Sequence, residues 1–306
     1  MPLAPIILFV YNRPWHTQQT IEALQKNELA TESELFIFAD GPKTNATEEQ
    51  KEKIRQVREY ISKIHGFKKV TLQEAEQNIG CADSIIQGIS SVFEKYNKVI
   101  IVEDDIVTSK FFLRFMNEAL DFFENDDRVF SVSGYTFPSK TMKIPANYKK
   151  DIYLSYRHGA WGWGTWKKRW ESVDWEVSDF KEFCENPKLQ KAFNRGGADM
   201  SGMLKAQMEG KIDAWDIRFD YSLFKQNKFN IRPIKSLVKN VGLDNSGTHT
   251  GADEKLITIL DDSWKPKIET IEPNKAILKN FRKVSDSPPK YSLKRFIGKV
   301  LKRMFK

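Results

Sequence analysis

The chain has 306 residues, of which 40% are hydrophobic and 29% charged, with a formal net charge of +8. That length holds one large α/β domain or two average ones with a sizeable core, and the composition excludes collagen-like, low-complexity and wholly disordered chains. Cys81 and Cys184 form neither a disulfide framework nor a zinc spacing, which suits a reducing compartment; no apolar run is long enough to span a membrane, and residues 3–11 read as too short and too poorly flanked by bases for a signal peptide.

In chain order, the first 135 residues alternate strand and helix. Strands are expected at 5–11, 35–39, 69–74, 99–103 and 129–133, with helices near 15–26, 47–64, 82–95 and 110–124. This alternation predicts an α/β fold, a mostly parallel twisted sheet flanked by helices, in which ligands bind beyond the carboxyl ends of the strands. Four such ends carry polar groups: Tyr11, Asn12 and Arg13; Asp40 and Gly41; Asn78 and Gly80; Glu103, Asp104 and Asp105. Converging on one crevice, they match what a nucleotide with a metal-bound pyrophosphate requires. Neither the dinucleotide fingerprint nor a Walker loop occurs, so phosphate charge falls to a cation and to side chains.

The acid triplet is the most telling element. Lys98-Val99-Ile100-Ile101-Val102 reads as a buried strand, and three adjacent carboxylates resist burial, so the strand should deliver them to an open sheet edge. Strand alternation puts Glu103 and Asp105 on one side and Asp104 on the other. A solvated acidic turn before the next helix is the plain alternative.

Residues 6–14, Phe38 to Pro42, Asn78 to Ala82 and the Glu103-Asp104-Asp105 triplet together resemble the donor half of GT-A fold glycosyltransferases, most closely the N-acetylglucosaminyltransferase-I-like group and bacterial sugar transferases of polysaccharide loci. The resemblance covers roughly residues 3 to 250. It implies a nucleotide-sugar donor, usually a UDP-sugar, and Mn²⁺ or Mg²⁺ held on a DXD-like motif. Asp105 would bind the metal directly, Glu103 and Asp104 would support it and contact the nucleoside sugar, Asp40 would lie near the base or ribose, and Arg13 near the nucleotide, with Tyr11 and Asn78 in the same pocket. The chemistry is coherent without the family: oxygen-only ligands select a hard cation, and a cation bridging two phosphates favours departure of a diphosphate. An acceptor hydroxyl must lose its proton as it attacks, so a carboxylate or histidine is needed on the opposite face.

The second half should supply that base. Residues 157–175 hold five of the eight tryptophans and read as a sugar-binding loop opening a helix. Trp161 and Trp163, among glycines, are the candidates for acceptor contact, whereas Trp166 and Trp170, spaced i, i+4, suit the core. The segment 213–220 bears acids before a helix. The resemblance places the catalytic base of inverting enzymes there, with Asp216 first and Asp213 second; an ordinary helix N-cap is the alternative for Asp216. Arg218 could pair with phosphate or with Asp220. His249, in a Gly- and polar-rich loop, occupies the position where many GT-A enzymes close the metal site, or is simply exposed; His158 is a weaker competitor, and His16 and His65 read as structural or solvated.

The positive charge lies largely at the end of the sequence. Residues 290–306 carry seven Lys and Arg and no acid, leaving about +1 for the remainder. Leu293, Phe296, Ile297, Val300, Leu301, Met304 and Phe305 follow the spacing of one helical face, which predicts a basic amphipathic helix suited to an anionic membrane surface; docking on the protein's own core, or binding nucleic acid, is the alternative. The expected organisation is a GT-A-like domain over 1–250 (donor half 1–135, acceptor half 136–250), an extended segment over 251–289, and the basic helix. The expected function is transfer of a sugar to a hydroxyl of a glycan or lipid-linked acceptor, with inversion, in bacterial surface polysaccharide assembly on the cytoplasmic face of the membrane, with no nucleic-acid partner. A sugar-phosphate nucleotidyltransferase, or a non-catalytic module binding carbohydrate or nucleic acid, are the rivals.

Overall fold

The structure, a computed structural model, describes residues 2–244 and 255–285. The first half forms β1 (Ile6–Val10), α1 (Pro14–Gln25), β2 (Glu34–Ala39), α2 (Glu48–Ile61), β3 (Lys69–Glu74), α3 (Cys81–Phe93), β4 (Lys98–Glu103), β5 (Ile106–Thr108), α4 (Phe112–Phe122) and β6 (Val129–Ser133). The second half adds β7 (Ile152–Ser155), β8 (Trp163–Trp166), α5 (Lys167–Glu171), α6 (Phe180–Glu185), α7 (Pro187–Phe193), α8 (Met200–Met208), α9 (Trp215–Lys225), β9 (Phe229–Pro233), β10 (Val238–Asn240) and α10 (Lys275–Ser285).

Eight strands make one sheet in the order β3-β2-β1-β4-β8-β6-β9-β7. The first four are parallel. Strand β8 runs antiparallel between β4 and β6, and β9 is parallel to β6. Six strands therefore share one direction, and their carboxyl ends lie along one edge.

Side-chain alternation divides the core. Ile6, Leu8 and Val10 of β1, with Ile100 and Val102 of β4, pack beneath α1 and α4. Ile7 and Phe9, with Val99 and Ile101, pack beneath α3 and α9. Both central strands are buried on both faces, which is why their sequences read as continuous apolar runs.

Helix boundaries follow local chemistry. Pro14 opens α1, where its missing N–H costs nothing. Thr47 and Gln50 form a capping box on α2. Gly80, at φ 89°, turns the chain from β3 into α3, a conformation that favours glycine.

Three expectations need correction. The expected loop at 157–175 contains β8, which inserts into the centre of the sheet. The expected extended segment at 251–289 contains α10, whose Ile277 and Phe281 bury against Met142 and Tyr153. Residue 250 marks no structural boundary either: Ile271 joins the main core, Thr258 Oγ1 donates to the Val238 carbonyl at 2.8 Å, and the Arg128 guanidinium grips Glu272 at 2.9 Å. Residues 290–306 and His249 lie outside the described residues.

Candidate active site

The acid triplet sits at the carboxyl end of β4, as the pattern requires, but strand alternation stops at Glu103. Asp104 and Asp105 form a tight turn into β5, and the turn brings both to Arg13, at the end of β1. Arg13 pairs with Asp104 and lies 3.0 Å from Asp105 Oδ2. Asp104, expected on the opposite side from Asp105, is therefore joined to it through Arg13, while Asp105 remains close to Glu103. Thr20 of α1 donates to the Asp104 carbonyl at 2.9 Å, and the Val241 N–H to the Asp105 carbonyl at 2.8 Å. Behind Asp105 the backbone of Gly242 approaches so closely that a Cβ there would lie 2.3 Å from Asp105 Oδ2. Both aspartates are nearly buried, at 5% and 8% exposure.

Glu103 is the odd carboxylate out. It is half-buried, and its carboxylate makes no hydrogen bond or ion pair among the described residues. Burial, with Asp105 and Asp104 nearby, raises its pKa to about 8. Burial works against the Arg13 guanidinium too, but its two aspartates hold it above its ordinary value. Three carboxylates thus face one guanidinium, and the deficit of positive charge falls on Glu103.

Asp40, at the end of β2, is committed to shaping the neighbouring wall. Its carboxylate accepts from the Gly41 N–H at 2.8 Å, the Ile79 N–H at 3.0 Å and Asn78 Nδ2 at 2.6 Å. These bonds stitch the loop after β2 to the loop after β3. Tyr11 stands nearby; burial raises its phenol pKa and Asp40 adds to the effect.

On the other side, α9 begins at Trp215, so Asp216 occupies its first turn while Ala214 is the N-cap; the cap alternative for Asp216 does not hold. Asp213 is exposed and lies near Gly80, whose hypothetical Cβ would be 3.9 Å from Asp213 Oδ2. Cys81, at the start of α3, reports how these groups are arranged. After burial, the influences that raise its thiol pKa are Glu103, Asp213, Asp216 and Asp104. The carboxylates from β4 and those from the start of α9 therefore gather near the amino end of α3. Cys81 was not among the sequence candidates; its place directly after the Asn78-Ile79-Gly80 turn was the available signal.

The aromatic segment behaves differently from expectation. Trp163 has no exposed surface; it stacks on Trp215 at 5.2 Å and meets the His158 ring at 4.5 Å. A residue enclosed in the core cannot touch an acceptor, so Trp163 is withdrawn as a contact. Trp161 is only half-buried, packed edge-on against Tyr135 with 4.5 Å between ring centres. Trp166 and Trp170 are core residues.

His158 is buried, with Nδ1 3.2 Å from Ser131 Oγ. Burial, then Arg232 and Arg157, keeps it neutral, and it lies in the second core rather than beside the acid turn. Arg218 donates to the Trp175 carbonyl at 3.0 Å and does not pair with Asp220. Asp220 instead accepts from the His158 N–H and faces Arg157, whose guanidinium also grips Asp199 at 2.9 Å. This buried network anchors α9, and with it Asp216, to the chain before β8; the widely separated residues give no local pattern. His16, expected to be structural or solvated, is buried, and its Nε2 lies 3.1 Å from Asp244 Oδ2.

A hard divalent cation fits the acid turn by charge and by donor type. The turn offers only oxygen ligands, and burial, with Asp105 and Asp104 nearby, pushes Glu103 toward protonation, an effect that a bound cation would oppose. No group of three metal-binding side chains occurs among the described residues. Protein ligands would thus supply part of a coordination shell. Among the described residues, no helix is long and apolar enough to cross a membrane.

A search of curated proteins returns no match. One solved structure, of S. aureus TarS, aligns with 77% of this chain and 36% of its own, at 14% identity and a TM-score of 0.43; the chain spans about a third of that protein's length. The GNT-I family model matches residues 1–192, well over half of the sequence and all of the wall from Arg13 to Asp105. The chain belongs to the GNT-I family of glycosyltransferases, with the α/β, GT-A-like sheet that this membership entails.

Proposed function

We propose that the protein transfers a sugar from a nucleotide diphosphate, a UDP-sugar, to a hydroxyl of a glycan or lipid-linked acceptor, with inversion at the anomeric carbon. The observation that supports this reading best is one of placement: the acids at the end of β4 and those at the start of α9 gather near the amino end of α3, where Asp213 stands beside Gly80. A donor bound on one wall would meet a base on the other.

Arg13, Asp40, Asn78 and Tyr11 form the donor wall, and Asp40 has its carboxylate oriented by three donors before any nucleotide arrives. Asp105 and Glu103 would hold Mn²⁺ or Mg²⁺, which when bound would neutralise the departing diphosphate. Asp216 takes the proton from the attacking hydroxyl, with Asp213 as the second choice. Asp216 stands in the first turn of α9, close enough to Arg157 to influence that guanidinium, and the amino end of a helix favours a negative charge there. Trp161 offers an aromatic face to the acceptor. The acceptor class follows from the tail: the basic amphipathic pattern of 290–306 would hold the enzyme on the anionic inner face of a bacterial membrane, where surface polysaccharides are assembled.

Calorimetry tests the donor side. UDP is expected to bind the full chain in the presence of Mn²⁺, and Asp105→Asn to lose the metal-dependent part. UDP binding indifferent to both metal and substitution would overturn the assignment. Hydrolysis of a panel of nucleotide sugars then identifies the sugar.

A further inference from the structure

The charge of this protein is segregated within its folded part as well as along its sequence. Residues 139–151 and 267–285 contain nine Lys and Arg against three acids, a balance of +6 in 32 residues. With seven more positive charges in 290–306, the other 257 residues carry −5. The structure brings the two positive segments together. Ile277 and Phe281 seat α10 on Met142 and Tyr153, Phe281 also meets Phe137 at 5.5 Å, and Asn280 Nδ2 donates to the Lys143 carbonyl at 2.8 Å.

Docking leaves α10 with one exposed face, and that face is basic: Lys275, Lys279, Arg282 and Lys283 are exposed, and Lys140, Lys143 and Lys149 are exposed on the adjoining loop. The acids of these segments are already engaged. Glu269 pairs with Lys150, Glu272 with Arg128, and Asp151 accepts from the Lys267 N–H. A surface with its acids neutralised and its lysines outward has the electrostatic character of a polyanion-binding face.

We propose that this face, α10 with the 139–150 loop, lies on an anionic lipid surface. The inference rests on the membrane role proposed above and extends it to the folded body. Lipid is favoured over nucleic acid on two grounds. The large aromatics beneath the patch, Phe281 and Tyr153, are buried, and Tyr148 is half-buried with its hydroxyl donated to the Ile152 carbonyl, a poor platform for stacked bases. Moreover, the chain leaving α10 continues into a run whose apolar residues recur at helical spacing among its bases, a pattern that suits a bilayer interface. Because the apolar side of α10 is consumed by the body, the face contributes by charge without insertion, and its contribution must be salt-sensitive.

Co-sedimentation with vesicles tests this on the full chain, using phosphatidylcholine alone and phosphatidylcholine with about a third phosphatidylglycerol. The variant K140Q/K143Q/K275Q/K279Q/K283Q should keep its melting temperature and lose at least about tenfold in partitioning onto the anionic vesicles, with the residual binding less sensitive to salt. As a control, K51Q/K53Q/K63Q in and just after α2, where each lysine pairs with a glutamate, should bind like the parent. A tail variant, K294Q/R295Q/K299Q/K302Q/R303Q, separates the two readings: if it binds like the parent while the platform variant fails, the tail reading falls and the platform stands. Parent-like partitioning of the platform variant overturns the proposal, as does a platform variant that loses affinity for RNA but not for vesicles.

Discussion

Glu103→Gln should stabilise the metal-free protein at pH 8 and have little effect at pH 5. In the folded state the Glu103 pKa is raised from 4.5 to about 8, by burial first and then by Asp105 and Asp104. Between those two values the folded state holds a proton that the unfolded state has released. Stability attached to this group is therefore complete below about pH 4.5 and is lost as the pH rises toward 8. At about 1.4 kcal/mol per pKa unit, the upper bound is about 5 kcal/mol. Glu103 is only half-buried, and solvent screening reduces this to about 1–2 kcal/mol. For a chain of this size that corresponds to about 2–4 °C in melting temperature. Asp104 and Glu103 lie close enough to influence each other, so the difference between the two proteins reports the charge of the acid turn as a whole. Melting curves at pH 5 and pH 8, with and without millimolar Mn²⁺, read it out, and Mn²⁺ at pH 8 should raise the parent more than the variant. A variant that melts lower than the parent at pH 8, or whose advantage is the same at both pH values, would refute the charge-deficit argument.

Three other outcomes probe the site and its support. Gly242→Ala would place a Cβ 2.3 Å from Asp105 Oδ2 and 2.8 Å from Arg13 Nη1, so it should cost about 1–3 kcal/mol and sharply weaken Mn²⁺-dependent UDP binding by calorimetry; Gly202→Ala in α8, with open space around it, should be neutral or stabilising by up to about 1 kcal/mol. Trp163→Ala should cost about 3–5 kcal/mol of stability by denaturant titration; an effect confined to acceptor KM would contradict its place in the core. Asp216→Asn should lower kcat by about a hundredfold or more with donor KM little changed, and if Asp213→Asn does so instead, the base is Asp213.

The sequence by itself determined the parallel half of this protein. Strands at the ends of which Arg13, Asp40, Asn78 and Glu103 stand were legible because buried β-branched runs, helix caps and intervening amphipathic helices are local patterns set by short-range sterics and periodicity. The convergence of those residues followed from a general rule of open parallel sheets.

What the tertiary structure alone decided was everything that depends on contacts between distant segments. β8 reads as a glycine- and tryptophan-rich loop because its strand character comes from pairing with β4 and β6 rather than from its own propensity, and that pairing is what encloses Trp163. The turn at Asp104 and Asp105 is imposed by Arg13 and by Gly242, which lie 91 and 137 residues away in the chain from Asp104 and Asp105 respectively. α10 is helical where an extended segment was expected because Ile277 and Phe281 find Met142 and Tyr153. Propensity and pattern act over a few residues, whereas burial and ion pairing are settled only when the whole chain has closed on itself.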